Sequence, residues 1–346
     1  MIVVSGYHGF GNLGDEAILA VLCEDLASLG IPRADILVLS GDPGSTSKAY
    51  SVQSLERYAL GKIWNAIGSA QLLVSGGGSL FQDVTSKRSI PYYLGIIEMA
   101  FRRGVPVALY GHGIGPISMR TYRKLVARAF LKSAGFTLRD AFSAQLLRSL
   151  KVPVPESAVA VDPVFQLETS DVPPEIRDVP TIGLNLRPYP GWKGQISTWA
   201  KVLQELLGAG WALRFIPIGP GDEELGVALQ GKVPGLELGP RLELASFRQD
   251  LSELDMFISM RLHGVILGAL SGTIPIALNY DPKIHAVCAQ IGCRCVELVE
   301  LKLVPRIAGD VVRNYAMNHT EQAAQLERLR QSAYRNREML RQVLEG

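Results

Sequence analysis

The stretch Ser259-Met260-Arg261-Leu262-His263-Gly264 lies between two apolar segments of the sequence. Before it, Met256-Phe257-Ile258 is typical of a buried parallel strand, and residues 265–270 after it predict the first turns of a helix. Such a strand-to-helix junction lies at the carboxyl edge of an α/β sheet, where ligands bind. Arg261 offers planar recognition of an anion, and His263 can move a proton near neutral pH. The structural alternative is that Arg261 only ties two loops together by an ion pair and that His263 caps the helix.

Length and composition indicate a folded protein of two domains. The chain has 346 residues, of which 47% are hydrophobic and 20% are charged, and its net charge is +2. A balance this close to neutral gives no general attraction to nucleic acid. No apolar run reaches the roughly 18 residues that a bilayer span needs, and no signal-like segment follows Met1. We therefore expect a cytoplasmic protein that does not bind nucleic acid.

Short apolar segments alternate with amphipathic ones along the whole chain, which is the pattern of βα units and parallel sheets. The predicted strands of the first half are residues 2–4, 36–39, 72–74, 107–109, 136–138 and 158–161. The predicted helices between them are residues 16–29, 55–67, 92–103, 119–132 and 141–150. A second series of predicted strands covers residues 181–186, 213–217, 256–258, 275–278 and 295–298. The pattern predicts an α/β fold with two Rossmann-like domains facing a cleft.

The domain boundaries follow from the change in composition after Asp162-Pro163. Residues 168–180 contain three prolines and many charges, which predicts a linker. We expect an N-terminal domain over residues 1–167, a C-terminal domain over 181–317 and a C-terminal helix over 318–346.

The first glycine-rich loop, residues 6–16, contains the pattern G-x-G-x-x-G at Gly9, Gly11 and Gly14. This pattern alone is weak evidence for a dinucleotide site, and the acid about 20 residues on, Asp35, precedes the second strand instead of ending it. The loop and the helix start after it suit an anion or a sugar hydroxyl. Asp15 either caps this helix or points its carboxylate into the cleft.

Two further glycine clusters follow predicted strands. Gly76-Gly77-Gly78-Ser79 would let a ligand touch the main chain, with Ser79 capping the next helix, whereas the alternative is a tight turn without a ligand. His112 lies between Gly111 and Gly113 in what the sequence predicts to be a loop, a setting unlike that of a core histidine.

Four cations occupy predicted strand ends: Arg139, Arg187, Arg261 and Lys283. We expect Asp140 to cap the next helix, which would leave Arg139 available for the cleft. Four cations at one cleft imply a substrate that carries more than one negative charge.

The four cysteines predict reduced thiols. Cys288, Cys293 and Cys295 do not have a common zinc spacing, although His285 nearby keeps a metal site conceivable. We expect no metal.

Together the motifs resemble the polysaccharide pyruvyl transferase family, most closely its bacterial cell-wall members. They are Asn12-x-Gly14-Asp15-Glu16, the Gly76-Gly77-Gly78-Ser79 turn, Gly111-x-Gly113-x-Gly115-Pro116, Arg139-Asp140 and Arg261-Leu262-His263-Gly264. The resemblance implies a fold like that of GT-B glycosyltransferases. It also implies transfer of a pyruvyl group from phosphoenolpyruvate to a sugar diol, giving a cyclic ketal and phosphate without a separate cofactor. The implied acceptor is N-acetylmannosamine of a lipid-linked cell-wall polysaccharide precursor, whose pyruvylated polymer anchors S-layer proteins.

These chemical steps suggest roles for the candidate residues. His263 would be the principal proton-transfer group, and Arg139, Arg261 and Lys283 would hold the donor in a site of the C-terminal domain. Asp15 would act on the acceptor hydroxyls as base or orienting group, on the acceptor side of the N-terminal domain. The further substrate-binding candidates are Asn12, Gly77, Gly78, Ser79, His112 and Arg187. The sequence leaves open which of His263, Asp15 and His112 is acid and which is base. Peripheral contact with the inner face of a membrane would use the basic helix 119–132.

Two alternatives belong to other classes. A GT-B glycosyltransferase with a nucleotide-sugar donor would need an acid near the ribose, and Glu237, Glu243 and Asp250 are available. A non-catalytic relic of the fold would be expected to lose Arg261 or His263, and both are present.

Overall fold

The computed structural model describes residues 1–83, 89–170 and 175–346. The chain divides into two compact units, each described here by itself. Unit 1 comprises Met1–Gln166 with Gln331–Gly346, and unit 2 comprises Leu167–Arg330. Residues 171–174 of the predicted linker, with Pro173 and Pro174, lie outside the described residues.

Unit 1 is built on a parallel sheet. Its strands are β1 (Ile2–His8), β2 (Ile36–Ser40), β3 (Gln53–Glu56), β4 (Leu72–Ser75), β5 (Gly78–Phe81), β6 (Val107–Ile114) and β7 (Gly135–Leu138). Its helices are α1 (Leu13–Ser28), α2 (Pro43–Tyr50), α3 (Leu60–Gly68), α4 (Ser89–Arg102), α5 (Arg120–Lys132) and α6 (Ala141–Ser149). The strand order is β3-β2-β1-β4-β6-β7, and β5 continues the sheet along β6 beyond the end of β4.

Unit 2 has a six-stranded parallel sheet. Its strands are β8 (Thr181–Asn185), β9 (Ala212–Phe215), β10 (Leu236–Leu238), β11 (Met256–Ser259), β12 (Ile274–Asn279) and β13 (Arg294–Glu297). Its helices are α7 (Trp192–Gly208), α8 (Asp222–Gln230), α9 (Phe247–Ser252), α10 (Leu262–Leu270), α11 (Pro282–Ile291), α12 (Val304–Arg313) and α13 (Tyr315–Glu345). The last residues of α13, from Gln331 onward, belong to unit 1.

The strand order of unit 2 is β10-β9-β8-β11-β12-β13, which is the doubly wound order of a Rossmann fold. Successive strands are added on one side of β8 up to β10 and then on its other side from β11 onward, so the strand order switches between β8 and β11. In unit 1 the same switch lies between β1 and β4. In sheets of this kind, ligands bind at the carboxyl ends of the strands on either side of that switch point. The topology therefore selects the segments after β1 and β4 in unit 1, and those after β8 and β11 in unit 2.

Burial on both faces explains why the central strands were evident in the sequence. Met256, Phe257 and Ile258 of β11 are each 0% exposed, as are Ile2, Val3 and Val4 of β1. Parallel strands covered by helices on both sides are continuously apolar, so the predicted α/β class is confirmed.

The predictions were wrong at the sheet edges and near the glycines. The predicted strand 158–161 is instead a 3₁₀ turn at Glu156–Ala158, followed by a single bridge from Val159 to Leu138. The helix predicted from residue 55 begins at Leu60, because Gln53–Glu56 forms edge strand β3. Strands β5 and β10 were also missed, since three or four residues carry too little periodicity to be recognised.

Among the helices that the structure describes, none is both long and apolar enough to cross a membrane.

Replacing a central core residue should destabilise unit 2 strongly. We expect Ile258→Ala, at a fully buried position of β11, to lower the free energy of unfolding by about 2–5 kcal/mol, because it leaves a cavity between sheet and helices. Urea denaturation followed by tryptophan fluorescence measures this, since Trp192, Trp199 and Trp211 lie in unit 2. The control is Val299→Ala, at a side chain 93% exposed, for which we expect less than about 0.5 kcal/mol. Equal effects of the two substitutions would contradict the described core.

Candidate functional site

Arg261 is held by a buried carboxylate. It occupies the N-cap position of α10 with an extended backbone, directly after β11. Its Nε donates to Asp222 Oδ2 at 2.8 Å and its Nη2 donates to Asp222 Oδ1 at 2.6 Å. Asp222 is 0% exposed. This paired geometry is the strong, planar form of an arginine–carboxylate interaction, and it fixes the orientation of the guanidinium.

The same carboxylate connects three loops of unit 2. Asp222 Oδ2 also accepts hydrogen bonds from Asn185 Nδ2 and from the backbone N–H groups of Ile218 and Gly219, each at 3.0 Å. Asn185 ends β8, and Ile218 and Gly219 follow β9. Asp222 was not among the site residues predicted from the sequence. The available signal was an acid at a helix start just after two glycines, Gly219 and Gly221.

The structural alternative for the central stretch is therefore half right. Arg261 does tie loops together through an ion pair, and Asp222 balances its charge. His263, however, does not hold the capping position, which Arg261 occupies. The half-buried His263 lies in the first turn of α10, where the backbone N–H groups favour negative charge.

The other two site cations that the sequence predicted in unit 2 flank Tyr280. Arg187, just after β8, donates from Nη1 to the Tyr280 hydroxyl at 3.0 Å. Lys283 Nζ lies 5.9 Å from the Tyr280 ring centroid and 3.4 Å from Asp281 Oδ2. Because β8 and β12 both pair with β11, Arg187, Arg261 and Lys283 all lie at the carboxyl ends of three adjacent strands.

In unit 1, Asp15 lies against the glycine triplet. Asp15 is 8% exposed, and a Cβ added at Gly78 would be 3.1 Å from its Oδ1. Asn12 Nδ2 donates to the Asp15 carboxylate. The N-cap of α1 is Asn12, so Asp15 is in the first turn and is not the cap. Of the two interpretations of Asp15, the helix cap is therefore wrong, and a carboxylate that points into the cleft stays a prediction.

Glu16 fixes the first glycine loop. Its Oε1 accepts from Gly9 N at 2.8 Å, and its Oε2 accepts from the Tyr50 hydroxyl at 2.8 Å. These bonds close the loop before α1 and fix the helix start that carries Asn12 and Asp15.

The sequence predicted that the Arg139 side chain would be available for the cleft, but the structure engages it within unit 1. Its side chain is buried, with Nη1 3.2 Å from Asp162 Oδ2 and Nη2 donating to Ser79 Oγ at 2.8 Å. Asp140 caps α6 as predicted, accepting from Ser143 N at 2.6 Å. The expectation that this cap would release Arg139 was wrong, because Asp162 supplies a second carboxylate. Ser79 lies in β5 and not at a helix start, so its predicted capping role was also wrong.

His112 is a core residue, contrary to the interpretation of its segment as a loop. It lies within β6, is 0% exposed, stacks on Phe81 with ring centroids 4.9 Å apart, and has Nε2 3.2 Å from Ser75 O. Burial lowers its pKa from 6.5 to about 3. Close packing against β6 also explains Gly77, since a Cβ there would lie 2.9 Å from Gly111 O and 3.0 Å from Tyr110 O.

His8 is a residue of the switch point that the sequence analysis missed. It ends β1, is 1% exposed and lies beside Gly6 and Gly76. Burial lowers its pKa from 6.5 to about 4. Its neighbours in sequence are glycines and Tyr7, so nothing in the pattern indicated that the strand continues to this residue.

The described residues contain no group of three or more His, Cys, Asp or Glu side chains that could hold a metal ion. Cys288 and Cys293 are free thiols with their Sγ atoms 2.7 Å apart. The acids proposed for a ribose make local contacts: Glu237 pairs with Arg214 at 3.2 Å, and Asp250 accepts from the Ser246 hydroxyl at 2.6 Å.

Comparison with known families settles the relationship that the motifs suggested. The sequence matches the polysaccharide pyruvyl transferase family over residues 12–282. The chain belongs to this family. The match includes Asp15, Arg139, Arg261 and His263, and it ends one residue before Lys283. A search of curated proteins finds no significant match.

Solved structures show that this pyruvyl transferase family member has a GT-B fold with two Rossmann-like domains. The UDP-GlcNAc 2-epimerase of Neisseria meningitidis, bound to UDP-GlcNAc, has a TM-score of 0.64 at 14% identity, with 100% of both chains covered. The Anabaena protein HepE, in complex with UDP, has a TM-score of 0.64 at 11% identity, with 98% of both chains covered. A glycosyltransferase of Rickettsia africae has a TM-score of 0.64 at 12% identity, covering 99% of this chain and 96% of its own. At these identities the similarity is one of fold.

The buried histidines should make stability depend on pH. Because the pKa of His8 falls to about 4 on folding, the unfolded chain binds the proton more readily, so stability is lost as pH falls from about 6.5 towards 4. For His8 alone the loss is about 3 kcal/mol. We expect His8→Gln to reduce the difference in unfolding free energy between pH 7.5 and pH 4.5, measured by urea denaturation. A His8 ring that titrates near pH 6.5 by NMR would show this assignment to be wrong.

Proposed function

We propose that this protein transfers a pyruvyl group from phosphoenolpyruvate to two hydroxyls of a sugar, forming a cyclic ketal and releasing phosphate. The observation that supports this most is the arrangement of Arg261 and His263 at the start of α10. An oriented guanidinium, an imidazole and a helix N-terminus there meet the needs of an anionic donor that must also be protonated.

Unit 2 is the proposed donor site. Phosphoenolpyruvate carries a carboxylate and a phosphate, and Arg187, Arg261 and Lys283 lie at the ends of three adjacent strands. Asp222 neutralises Arg261 in part, so the phosphate is stabilised chiefly by directed N–H groups and by the other two cations. The N-termini of α10 and α11 add backbone N–H groups to the same edge.

The chemistry requires one proton at the methylene carbon of the donor. Protonation of C3 makes C2 electrophilic, and the first sugar hydroxyl adds to C2. Phosphate then leaves with its bonding electrons, and the second hydroxyl attacks C2 to close the ketal. The two hydroxyl protons balance the one delivered to C3 and the one taken by phosphate. We assign the delivery of the proton to His263, which lies two residues after Arg261 in the first turn of α10.

Unit 1 is the proposed acceptor site. Asp15 would accept a proton from, or orient, the attacking hydroxyls, while Asn12 holds its carboxylate. Gly78 and Ser79 line the same edge of the sheet, and Arg139 acts through its hydrogen bond to Ser79 as a positioning residue. His112 is buried in the core and is no longer proposed as a contact of the acceptor.

The acceptor is proposed to be N-acetylmannosamine of a lipid-linked cell-wall precursor, with S-layer anchoring as the purpose of the product, as the resemblance implies. Helix α5 supports a peripheral role for a cytoplasmic protein at a membrane. Its exposed side chains combine the cations Arg123, Lys124 and Arg128 with Leu125 and Leu131, which are 45% and 58% exposed. Basic and apolar side chains on one exposed helix suit an anionic lipid surface.

Donor binding can be tested with a conservative substitution. We expect phosphoenolpyruvate at 100 times its Kd to stabilise the protein by about 2.7 kcal/mol, seen as a rise in melting temperature. Arg261→Lys keeps a positive charge for Asp222 but loses the planar pairing, so the rise should largely disappear. The matched control is Arg241→Lys, at an arginine that pairs with Glu223 and whose side chain is 42% exposed. A rise with UDP or UDP-sugars alone would favour the nucleotide-sugar glycosyltransferase instead.

The proposed role of His263 in proton delivery can be tested separately from the binding of phosphoenolpyruvate. We expect His263→Gln to keep the stabilisation by phosphoenolpyruvate while turnover, measured as phosphate release with N-acetylmannosamine glycosides, falls at least about 100-fold. Turnover within a few fold of that of the unmodified enzyme would contradict the assignment of proton delivery to His263.

A further inference from the structure

A cluster of aromatic rings surrounds Arg57 in unit 1. We call it the Arg57 cluster. Arg57 follows β3, and its backbone N donates to Ser40 O at the end of β2. The distances from its Cζ to the ring centroids are 4.1 Å for Tyr92, 5.0 Å for Phe10, 5.3 Å for Tyr58, 5.5 Å for Tyr93 and 6.0 Å for Tyr7.

Within the described residues, the guanidinium of Arg57 contacts aromatic rings and pairs with no carboxylate. The residue is 4% exposed, Nη2 donates to the Tyr93 hydroxyl at 3.4 Å, and Nε and Nη1 have no hydrogen-bond partner in the described parts of the chain. A buried charge without a carboxylate is costly, and cation–π attraction to several rings offsets part of that cost. The consequence is mutual: the rings shield the cation, and the cation holds the rings in place.

Two of these rings remain substantially open to solvent. Tyr58 is 66% exposed and Tyr7 is 40% exposed. Tyr7 stacks on Phe10 with centroids 4.4 Å apart and planes 15° apart, and the Tyr92 hydroxyl donates to Arg57 O at 2.9 Å. The cluster thus presents fixed, flat surfaces with phenol hydroxyls at their edges, which is amphipathic contact area that loses little entropy on binding.

The Arg57 cluster adjoins the proposed acceptor residues. Tyr7 immediately precedes His8 at the end of β1, and Phe10 belongs to the glycine loop that leads to Asn12 and Asp15. Burial raises the pKa of Tyr7, and the Asp15 carboxylate raises it further, as expected for groups that share one edge of the sheet. The cluster is therefore continuous with the acceptor side of unit 1.

We propose that the Arg57 cluster is a saccharide subsite, which binds the sugar next to the one that receives the pyruvyl group. A pyranose has an apolar C–H face that matches an open aromatic ring and hydroxyls that match phenol oxygens. The rings cover the cation, so the exposed surface suits a sugar unit better than a phosphate. This proposal rests on the proposed function and assigns the neighbouring sugar to the exposed rings of Tyr7 and Tyr58.

The test compares a monosaccharide and a disaccharide acceptor. The probes are the methyl glycoside of N-acetylmannosamine and a disaccharide that carries N-acetylmannosamine at its non-reducing end. Phosphate release from phosphoenolpyruvate gives kcat and KM, and saturation-transfer NMR without phosphoenolpyruvate measures binding alone. The variants are Tyr58→Ala, Tyr58→Phe and, as a control, Phe142→Ala, since Phe142 is an aromatic residue of unit 1 that is 48% exposed and outside the cluster.

We expect Tyr58→Ala to raise the KM for the disaccharide about 5- to 10-fold while leaving kcat and the KM for the monosaccharide unchanged. Tyr58→Phe keeps the ring and should stay within about twofold of the unmodified protein, as should Phe142→Ala. A merely structural role of Tyr58 would affect both acceptors equally.

The outcomes distinguish the two proposals. If the unmodified protein turns over both acceptors and Tyr58→Ala leaves the disaccharide KM unchanged, the subsite is wrong and pyruvyl transfer stands. If no phosphate is released with either acceptor, NMR decides: disaccharide binding that Tyr58→Ala removes supports the subsite although the transfer fails. Absence of disaccharide binding overturns the subsite.

Discussion

A single buried carboxylate holds the carboxyl edge of unit 2 together. Asp222 is fully buried and receives bonds from the ends of β8 and β9 and from the arginine that follows β11. Removing one partner from such a group leaves a buried charge uncompensated, so the loops it joins have little freedom to rearrange. Arg261 is therefore oriented before any ligand arrives. An oriented dipole or charge that needs no reorganisation during the reaction is what favours catalysis at developing charge.

The carboxyl edges of the two parallel sheets carry different kinds of side chain. At the edge of unit 2, three cations and two helix starts meet, which suits an anion. At the edge of unit 1 lie Asp15, His8, whose pKa is lowered by burial, and Arg57, which is covered by aromatic rings. This division supports the proposal that one unit binds a charged donor and the other a hydroxyl-bearing acceptor.

Most of the fold was predictable because both sheets are parallel and buried. Continuous apolar strands reveal themselves in sequence, and the rule that their carboxyl ends share an edge brings Arg187, Arg261 and Lys283 together without coordinates. The carboxylate partners of the arginines were not predictable. Arg261 is joined to an acid 39 residues away and Arg139 to one 23 residues away, and sequence spacing does not encode such contacts.

His112 shows a different limit of sequence analysis. A histidine between glycines has the local composition of a loop. In the structure, β5 pairs with it on one side and β7 on the other, so that tertiary hydrogen bonding overrides local preference. Arg57 was missed for the related reason that its five rings come from three separate segments of the chain: residues 7–10, residue 58 and residues 92–93.

The glycine triplet has a consequence for how relatives of this protein should be compared. Gly77 is required because two carbonyl oxygens of the neighbouring strand leave no space for a side chain. Any chain that keeps this strand spacing needs a glycine at this position, whatever reaction it catalyses. Gly77 therefore reports the geometry of the sheet and not the reaction, so activities across the fold are better compared at Arg261 and His263, to which the proposed function assigns the chemistry.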